Sequence, residues 1–509
     1  MNSDTGSLHR LPPADLSGLR ADFATAAFAE CQKRQCVIAR WNEDANDAGT
    51  VVFLCAEPLN LDAQQWFEPV IERLAPASLL RAQVSQEQMA QFFRTEEERL
   101  RAMDSFESAD LDADGDGDDA SILELSMGSI EVTENATVRL IDSTLYDALR
   151  AGASDIHFEL HHKTFEIKYR IDGVLQTIKQ IESQSTAHQA ISRIKVLADL
   201  DIAERRIPQD GRFRVLHDGR GIDLRVSIMP NIAGEDAVLR ILDRKHLTGQ
   251  FESLTLDSLS FAVEAKEFLR HASRLPYGLL LVTGPTGSGK TTTLYAAISE
   301  INTGLDKIVT IEDPIEYQLG GVLQIPVNEK KGLTFAKGLR SILRHDPDKI
   351  MVGEIRDSET AQIAVQAALT GHQVFTTVHA NNVFDVIGRF SNMGVDSYSL
   401  VAALTGIMAQ RLVRGVCPHC RSVDSTRTGP VASGCSHCRG TGYKGRLAIA
   451  ETLPMDDEMR DLLVQRAPIS SVKRLARDKG FRSLRDSALS LVARGLTTAD
   501  EVERVAPME

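Results

Sequence analysis

The chain has 509 residues, a formal net charge of −14, and 43% apolar and 25% charged side chains. At roughly 150 residues per domain this length holds about three or four folded units. The near-average composition excludes wholesale disorder and a membrane-spanning bundle. The acidic balance disfavours a protein whose main task is to grip nucleic acid through a basic surface. No run of about eighteen apolar residues occurs, and the polar, proline-containing residues 1–15 lack the pattern of an export signal. The expectation is a soluble, cytoplasmic protein. Seven cysteines, four of them in two Cys-x-x-Cys pairs, point to a reducing compartment and a metal.

In chain order, residues 1–103 alternate helix-like and strand-like patterns, with a buried strand at 51–54 and a helix at 63–74, the outline of a small α/β domain. Residues 104–121 follow as a linker: eight carboxylates and no basic residue fall between 104 and 120, with glycines interleaved, so self-repulsion keeps the segment extended. Asp110, Asp112, Asp114 and Gly115 also imitate the opening of a calcium-binding loop, but Ser121 stands where that loop needs a bidentate Glu. Across 122–246, Asn135 can cap a helix carrying Val138, Ile141, Leu145 and Leu149, and Gly152 can stop it. Residues 165–171 alternate apolar and charged, and Asp172-Gly173 can turn that strand into the next. These patterns predict an α+β domain. In 247–409, short apolar strands at 279–283, 307–311, 350–353 and 373–378 are separated by helices, which predicts a parallel α/β sheet. A cysteine-bearing module at 410–452 and a helical region at 453–509 complete the chain.

Gly284, Pro285, Thr286, Gly287, Ser288, Gly289, Lys290 and Thr291, with Thr292 next, match G-x-x-x-x-G-K-[ST] between a strand and a helix. Glycines let backbone N–H groups converge on phosphate oxygens at the positive end of a helix. Lys290 can reach the β/γ-phosphates of ATP and the Thr291 hydroxyl can coordinate Mg²⁺. Hydrolysis also needs a carboxylate at the end of a neighbouring strand, and Glu354 and Glu312 are candidates. His379 ends a third strand as a structural residue or a γ-phosphate sensor.

Several motifs in order resemble the ATPases of bacterial type II secretion and type IV pilus assembly. The phosphate loop is followed by residues 310–316 (TIEDPIE), similar to the family's Asp box. Residues 343–348 (LRHDPD) then run into 352–357 (VGEIRD), similar to its Walker B. Residues 370–372 (TGH) and 376–380 (TTVHA) resemble its His box, and 152–159 (GASDIHFE) and 205–212 (RRIPQDGR) its preceding domain. The resemblance implies a RecA-like P-loop ATPase core after an α+β domain of PAS-like kind. It gives Glu354 the role of orienting the attacking water, Glu312 that of helping to position water or metal, and His379 that of sensing nucleotide. Arg212 and Arg225 would reach a neighbouring subunit's phosphates as arginine fingers; their plainer reading is surface salt bridging. Arg340 and Arg344 could complete the charge clamp. The family forms hexamers beneath an inner-membrane platform protein and drives filament assembly, which implies a homo-hexamer bound peripherally at the cytoplasmic face of the inner membrane through that platform and a membrane-anchored docking protein met by residues 1–103.

Cys417, Cys420, Cys435 and Cys438 form two pairs flanking fourteen residues, close to the spacing of a tetrahedral Zn²⁺ site, with disulfides as the alternative. The resemblance places such a tetracysteine module on the assembly side of the family. Two rival functions fit a P-loop: a motor acting on nucleic acid through Arg205, Arg206, Arg212 and Arg214, and a nucleotide-gated scaffold with little turnover.

Overall fold

The computed structural model describes residues 123–133, 135–242, 254–423 and 430–508, and before residue 98 a set of shorter stretches that includes 28–41, 50–56, 61–74 and 78–97. Residues 104–121, expected to be the acidic linker, lie outside the described residues. The chain divides into two compact units, Met1–Leu242 and Asp243–Glu509.

The first unit holds two sheets. A five-stranded mixed sheet runs in the order His9–Arg10, Ser78–Gln83, Thr50–Cys55, Cys36–Trp41, Leu19–Ala21, accompanied by the helices Phe28–Arg34, Leu61–Leu74 and Gln86–Glu97. Val51, Val52, Leu54, Phe67 and Val70 are buried there, so the strand and helix expected at 51–54 and 63–74 face one core. The second sheet has seven strands in the order Leu123–Leu125, Gln209–His217, Arg220–Asn231, Gly234–Leu242, Ala153–Leu160, Phe165–Ile171, Val174–Ile181. The helices Ala136–Ala151 and Gln184–Leu197 pack against it.

Local chemistry accounts for these elements. Asn135 Oδ1 accepts from the amides of Thr137 and Val138, both at 3.0 Å, satisfying donors that a helix start leaves open. Gly152, at φ 66°, closes the same helix. Asp172 (φ 48°) and Gly173 (φ 82°) make the tight turn after Phe165–Ile171; two consecutive positive φ angles match the right-handed twist of a hairpin. Phe165, Ile167 and Tyr169 are buried while Glu166, Lys168 and Arg170 lie on the other face.

The second unit is built on a seven-stranded sheet ordered Leu323–Pro326, Ile308–Glu312, Lys349–Val352, Gln373–Val378, Gly278–Thr283, Leu404–Val416, Tyr443–Pro454. All neighbours are parallel except the last pair. Gly278–Thr283 and Gln373–Val378 are buried at every position, as strands covered on both faces require. Two features go beyond the sequence expectation. The closing strand is antiparallel, because the chain leaves the sheet after Val416 and returns alongside itself at Tyr443. Both of those strands belong to the main sheet, and the cysteine-bearing excursion between them, inside the module expected at 410–452, spans 417–442. The cysteines mark the module but carry no signal of where the flanking strands end. Four helices, Asp457–Val464, Ile469–Asp478, Leu484–Ala493 and Ala499–Val505, follow the last strand.

Replacing Asn135 with Ala removes the side-chain acceptor that caps its helix. A loss of about 1 kcal/mol is expected, read by calorimetry as a fall of about 2–4 °C in the melting of a unit this size. Unchanged melting would show that the cap contributes nothing.

Candidate active site and cysteine cluster

The phosphate loop grows out of a strand end that is fastened on both sides. Thr283 Oγ1 donates towards the carbonyls of Val378 (2.9 Å) and Ala380 (3.0 Å) and accepts from the Ala380 amide at 2.8 Å. Gly284 has φ 147°, and a Cβ there would stand 2.4 Å from Gln410 O and 2.7 Å from Ser288 Oγ, so neither backbone nor space admits another residue. Pro285, Thr286 and Gly287 form an exposed crest. Gly289, at φ 84°, leads into the helix Lys290–Ile301 without a side-chain cap, leaving its first amides free for an anion.

Two buried polar atoms at the floor of the loop, Ser288 Oγ and Gln410 Oε1, have no partner, while Gln410 Nε2 donates to Ser288 O at 2.6 Å. Lys290 Nζ folds back onto the carbonyls of Gly284 (2.9 Å) and Pro285 (3.0 Å). Burial pushes its ammonium below the ordinary lysine range, and the charge of Glu354 opposes that shift. A free helix start, a glycine cradle and a lysine whose neutral partners can be exchanged fit a phosphate group.

Glu354 follows the strand Lys349–Val352. It pairs with Arg356 and lies 3.5 Å from His379 Nε2, the histidine being the more exposed partner. Thr377 Oγ1 donates to Gly353 O at 2.8 Å, holding the two strand ends together. Three sequence candidates, Lys290, Glu354 and His379, therefore meet at the ends of three consecutive strands. Glu312 sits elsewhere. Its strand is three positions from the loop strand, roughly 14 Å at the usual spacing, and its carboxylate is buried against Tyr295, Thr310 and Gln324. His372 stands at the opposite end of its strand, with Nδ1 3.0 Å from Ala367 O. Arg340 pairs with Glu359 on the surface, and Arg344 donates to Arg340 O at 2.9 Å.

Arg212 and Arg225 are direct cross-strand partners in the first unit, and Arg225 in turn opposes Arg240. Arg240 Nε donates to Asp155 Oδ1 at 3.0 Å, and Arg170 lies 3.6 Å from the same carboxylate. One acid thus serves two arginines of a row of four, and among the described residues neither Arg212 nor Arg225 makes an ion pair. Like charges directly opposed weaken a sheet. In the same basic cluster Arg206 is held by Glu204 and Arg214 by Asp223.

The four module cysteines carry no disulfide. Their sulfurs lie 3.9 Å apart for Cys417–Cys435, 3.7 Å for Cys420–Cys438 and 3.7 Å for Cys435–Cys438. A tetrahedron with metal–sulfur bonds of about 2.3 Å has edges of about 3.8 Å. Burial disfavours ionisation of Cys438, but the amides of Cys435 and Gly442 donate to its sulfur at 3.1 and 3.2 Å and bring its pKa down to about 6. The cluster fits a four-thiolate metal site. The rings of His419 and His437 meet at a tilt of 49° with centroids 3.9 Å apart, and both are exposed at the rim. A second group, Glu159, His161 and Glu166, already holds a cation: Lys168 Nζ is 2.6 Å from Glu159 and 2.8 Å from Glu166.

Gln410 and Tyr295 escape sequence reading. Gln410 reaches the loop only because Thr283 and Ala409 are in register, a pairing invisible along the chain; Tyr295 has a local signal, its spacing of four from Thr291.

Gly284→Ala is expected to abolish nucleotide binding while the far-ultraviolet circular dichroism stays native; fluorescent-nucleotide titration checks it, and wild-type affinity would contradict the cradle geometry.

Residues 131–504 match the family model "Type II/IV secretion system protein". The chain is 38% identical over 487 residues to "Type II secretion system ATPase E" of Vibrio cholerae, covering 92% of this chain and 94% of that protein. It is 47% identical over 384 residues to "Putative type II secretion system protein E" of Escherichia coli, covering 72% and 76%. The ATPase DotB of Yersinia pseudotuberculosis superimposes with a TM-score of 0.55 at 23% identity, over 73% of this chain and 94% of that one, a likeness of fold. With the phosphate loop, the strand-end carboxylate and the cysteine module in place, this chain belongs to the type II/IV secretion system protein family.

Proposed function

We propose that the protein is an ATP-hydrolysing motor that works as a homo-hexamer at the cytoplasmic face of the inner membrane and powers assembly of a type II secretion pseudopilus or a type IV pilus. The observation that carries this reading is the meeting of Lys290, Glu354 and His379 at the ends of three adjacent parallel strands around the phosphate loop. The naming of the Vibrio cholerae relative as an ATPase supports it.

In this mechanism the loop Gly284–Thr292 wraps the phosphates, its amides from Thr286 onward donating to them, and Lys290 exchanges its two carbonyl partners for phosphate oxygens. A bound Mg²⁺ would supply Lewis-acid stabilisation of phosphate charge. The Thr291 hydroxyl stands at the helix start to hold it. Glu354 orients the attacking water and accepts its proton. His379, beside Glu354, feels whether the γ-phosphate is present and passes that state to the residues that follow it. Arg212 and Arg225 act in trans on a neighbouring copy's phosphates, which relieves their mutual repulsion. Glu312 contributes from behind the loop rather than at the reacting atoms.

The domain 122–246 is read as PAS-like, and the four cysteines as ligands of a structural Zn²⁺. Residues 1–103 are read as the segment that meets a membrane-anchored docking protein, while the rest works against an inner-membrane platform protein. No described helix is long and apolar enough to cross a membrane, consistent with recruitment through partners. A nucleic-acid motor gains no support, because Arg206 and Arg214 are already occupied by carboxylates of the same domain.

Glu354→Gln is expected to bind ATP with near-wild-type affinity and to lose at least about 10²-fold in turnover; undiminished turnover would mean that another group orients the water. Arg225→Ala should lose about 10³-fold in hydrolysis while the melting temperature of the free protein holds or rises, since a repulsive neighbour is removed. Activity indifferent to Arg225 would return the row to surface salt bridging. Metal analysis is expected to find one zinc per chain, lost in Cys438→Ser.

A further inference from the structure

Glu312 is 1% exposed, yet the three groups that donate to it are neutral. They are the Tyr295 hydroxyl, in close contact, Thr310 Oγ1 at 2.6 Å and Gln324 Nε2 at 3.1 Å. A buried carboxylate held by neutral donors is costly, so its placement calls for a purpose beyond packing. The donor that matters is Tyr295, because it belongs to the helix Lys290–Ile301 that begins at the phosphate loop.

Tyr295 follows Thr291 by four residues, which stacks the two side chains on one face of that helix. The rest of the helix is seated by Leu294, Ala296, Ala297, Ile298 and Ile301, all buried, through contacts that have no preferred direction. Glu300, at the far end of the helix, accepts from the Leu256 amide at 2.9 Å and from Arg270 at 2.9 and 3.0 Å. The hydroxyl of Tyr295 is the directional tie one turn from Thr291, at the end that meets the phosphate loop, and it sets the roll of that end about the helix axis. At about 5 Å from the axis, a roll of about 10° moves a side-chain oxygen by about 1 Å, and misplacement on that scale is enough to cost a site about 10²-fold. The tie is itself braced. Tyr317 packs edge-on against the Tyr295 ring at 4.5 Å, and the Gln324 amide also reaches the Tyr295 oxygen at 3.3 Å. Burial, reinforced by the bond to Glu312, pushes the Tyr295 phenol well above its ordinary range, so it stays a donor.

We propose that Glu312 and Tyr295 are a positioning pair: the carboxylate acts through the tyrosine hydroxyl to set the roll of the phosphate-loop helix, and so the direction in which Thr291 presents its oxygen to the Mg²⁺ of the nucleotide. This rests on the reading of Thr291 as a Mg²⁺ ligand, and it makes Glu312 a positioning residue rather than a catalytic one.

The test is a binding titration on the full chain, needing no turnover. A fluorescent ATP analogue is bound at rising Mg²⁺, with a parallel series in chelator, for wild type, Tyr295→Phe, Glu312→Gln and the double variant. Affinity in chelator should stay within about twofold of wild type in all four, which reports an intact loop. The Mg²⁺ concentration that gives half of the tightening should rise about fivefold in each single variant, and no further in the double variant, because two residues acting through one bond are not additive. A Tyr295→Phe protein with the wild-type Mg²⁺ response overturns the proposal, including the case where Glu312→Gln alone shifts that response, since the carboxylate then acts directly. Equal losses with and without Mg²⁺ also overturn it, as a general loosening of the helix. A wild-type chain whose nucleotide affinity ignores Mg²⁺ fails in a different place and overturns the reading of Thr291 itself.

Discussion

The site in the second unit depends on the parallel ladder that sets the strands Lys349–Val352, Gln373–Val378 and Gly278–Thr283 side by side with their C-terminal ends level. Parallel strands joined by crossovers leave those ends open as a crevice, and here the crevice is laced shut at its base. Thr283 ties its strand to Ala380, and Thr377 ties its own to Gly353. Residues from three separate stretches of chain are thereby held close by the sheet beneath them. Gly284 is the point of greatest crowding, pressed between Gln410 and Ser288, and the loop has its shape because the strand on its other flank leaves no alternative.

The two units use charge differently. Around the phosphate loop, cationic and anionic groups are mixed at short range: Lys290 lies in the field of Glu354, which also meets Arg356 and His379. On the second sheet of the first unit, arginines from four strands line up, and Asp155 pairs with two of them, Arg170 and Arg240. A sheet tolerates such a row because its other face is a continuous apolar core, with Val215, Leu224, Val226 and Leu239 buried beneath it. Burial there far outweighs repulsion between exposed guanidiniums, which solvent screens.

The cysteine excursion is anchored by the same sheet. Its two flanking strands pair over most of their length, and Arg414 ties that hairpin to the last helix through Glu501 at 2.9 Å while its guanidinium covers the Tyr443 ring at 4.0 Å. The cysteine cluster thus stands on a base formed by the ATPase sheet and the C-terminal helices, and the first of its two flanking strands carries Gln410 at the loop floor.

What the sequence by itself determined is whatever short-range chemistry decides. The Asn135 cap and Gly152 stop, the Asp172-Gly173 turn, the alternation of residues 165–171, the glycine spacing before Lys290 and the two cysteine pairs are written within a few residues of where they act, because capping, turn geometry and side-chain period are local. The strand order was decided only by the tertiary structure, and with it which candidates share a site. Glu312 and Glu354 look alike in sequence, each a carboxylate closing an apolar strand, yet one opens beside the loop and the other is enclosed by Tyr295, Thr310 and Gln324. The grip of Gln410 on Ser288 and the alignment of Arg212 with Arg225 and Arg240 arise from register between strands. Register is set by burying whole faces at once, a property of the assembled sheet that no single stretch of chain carries.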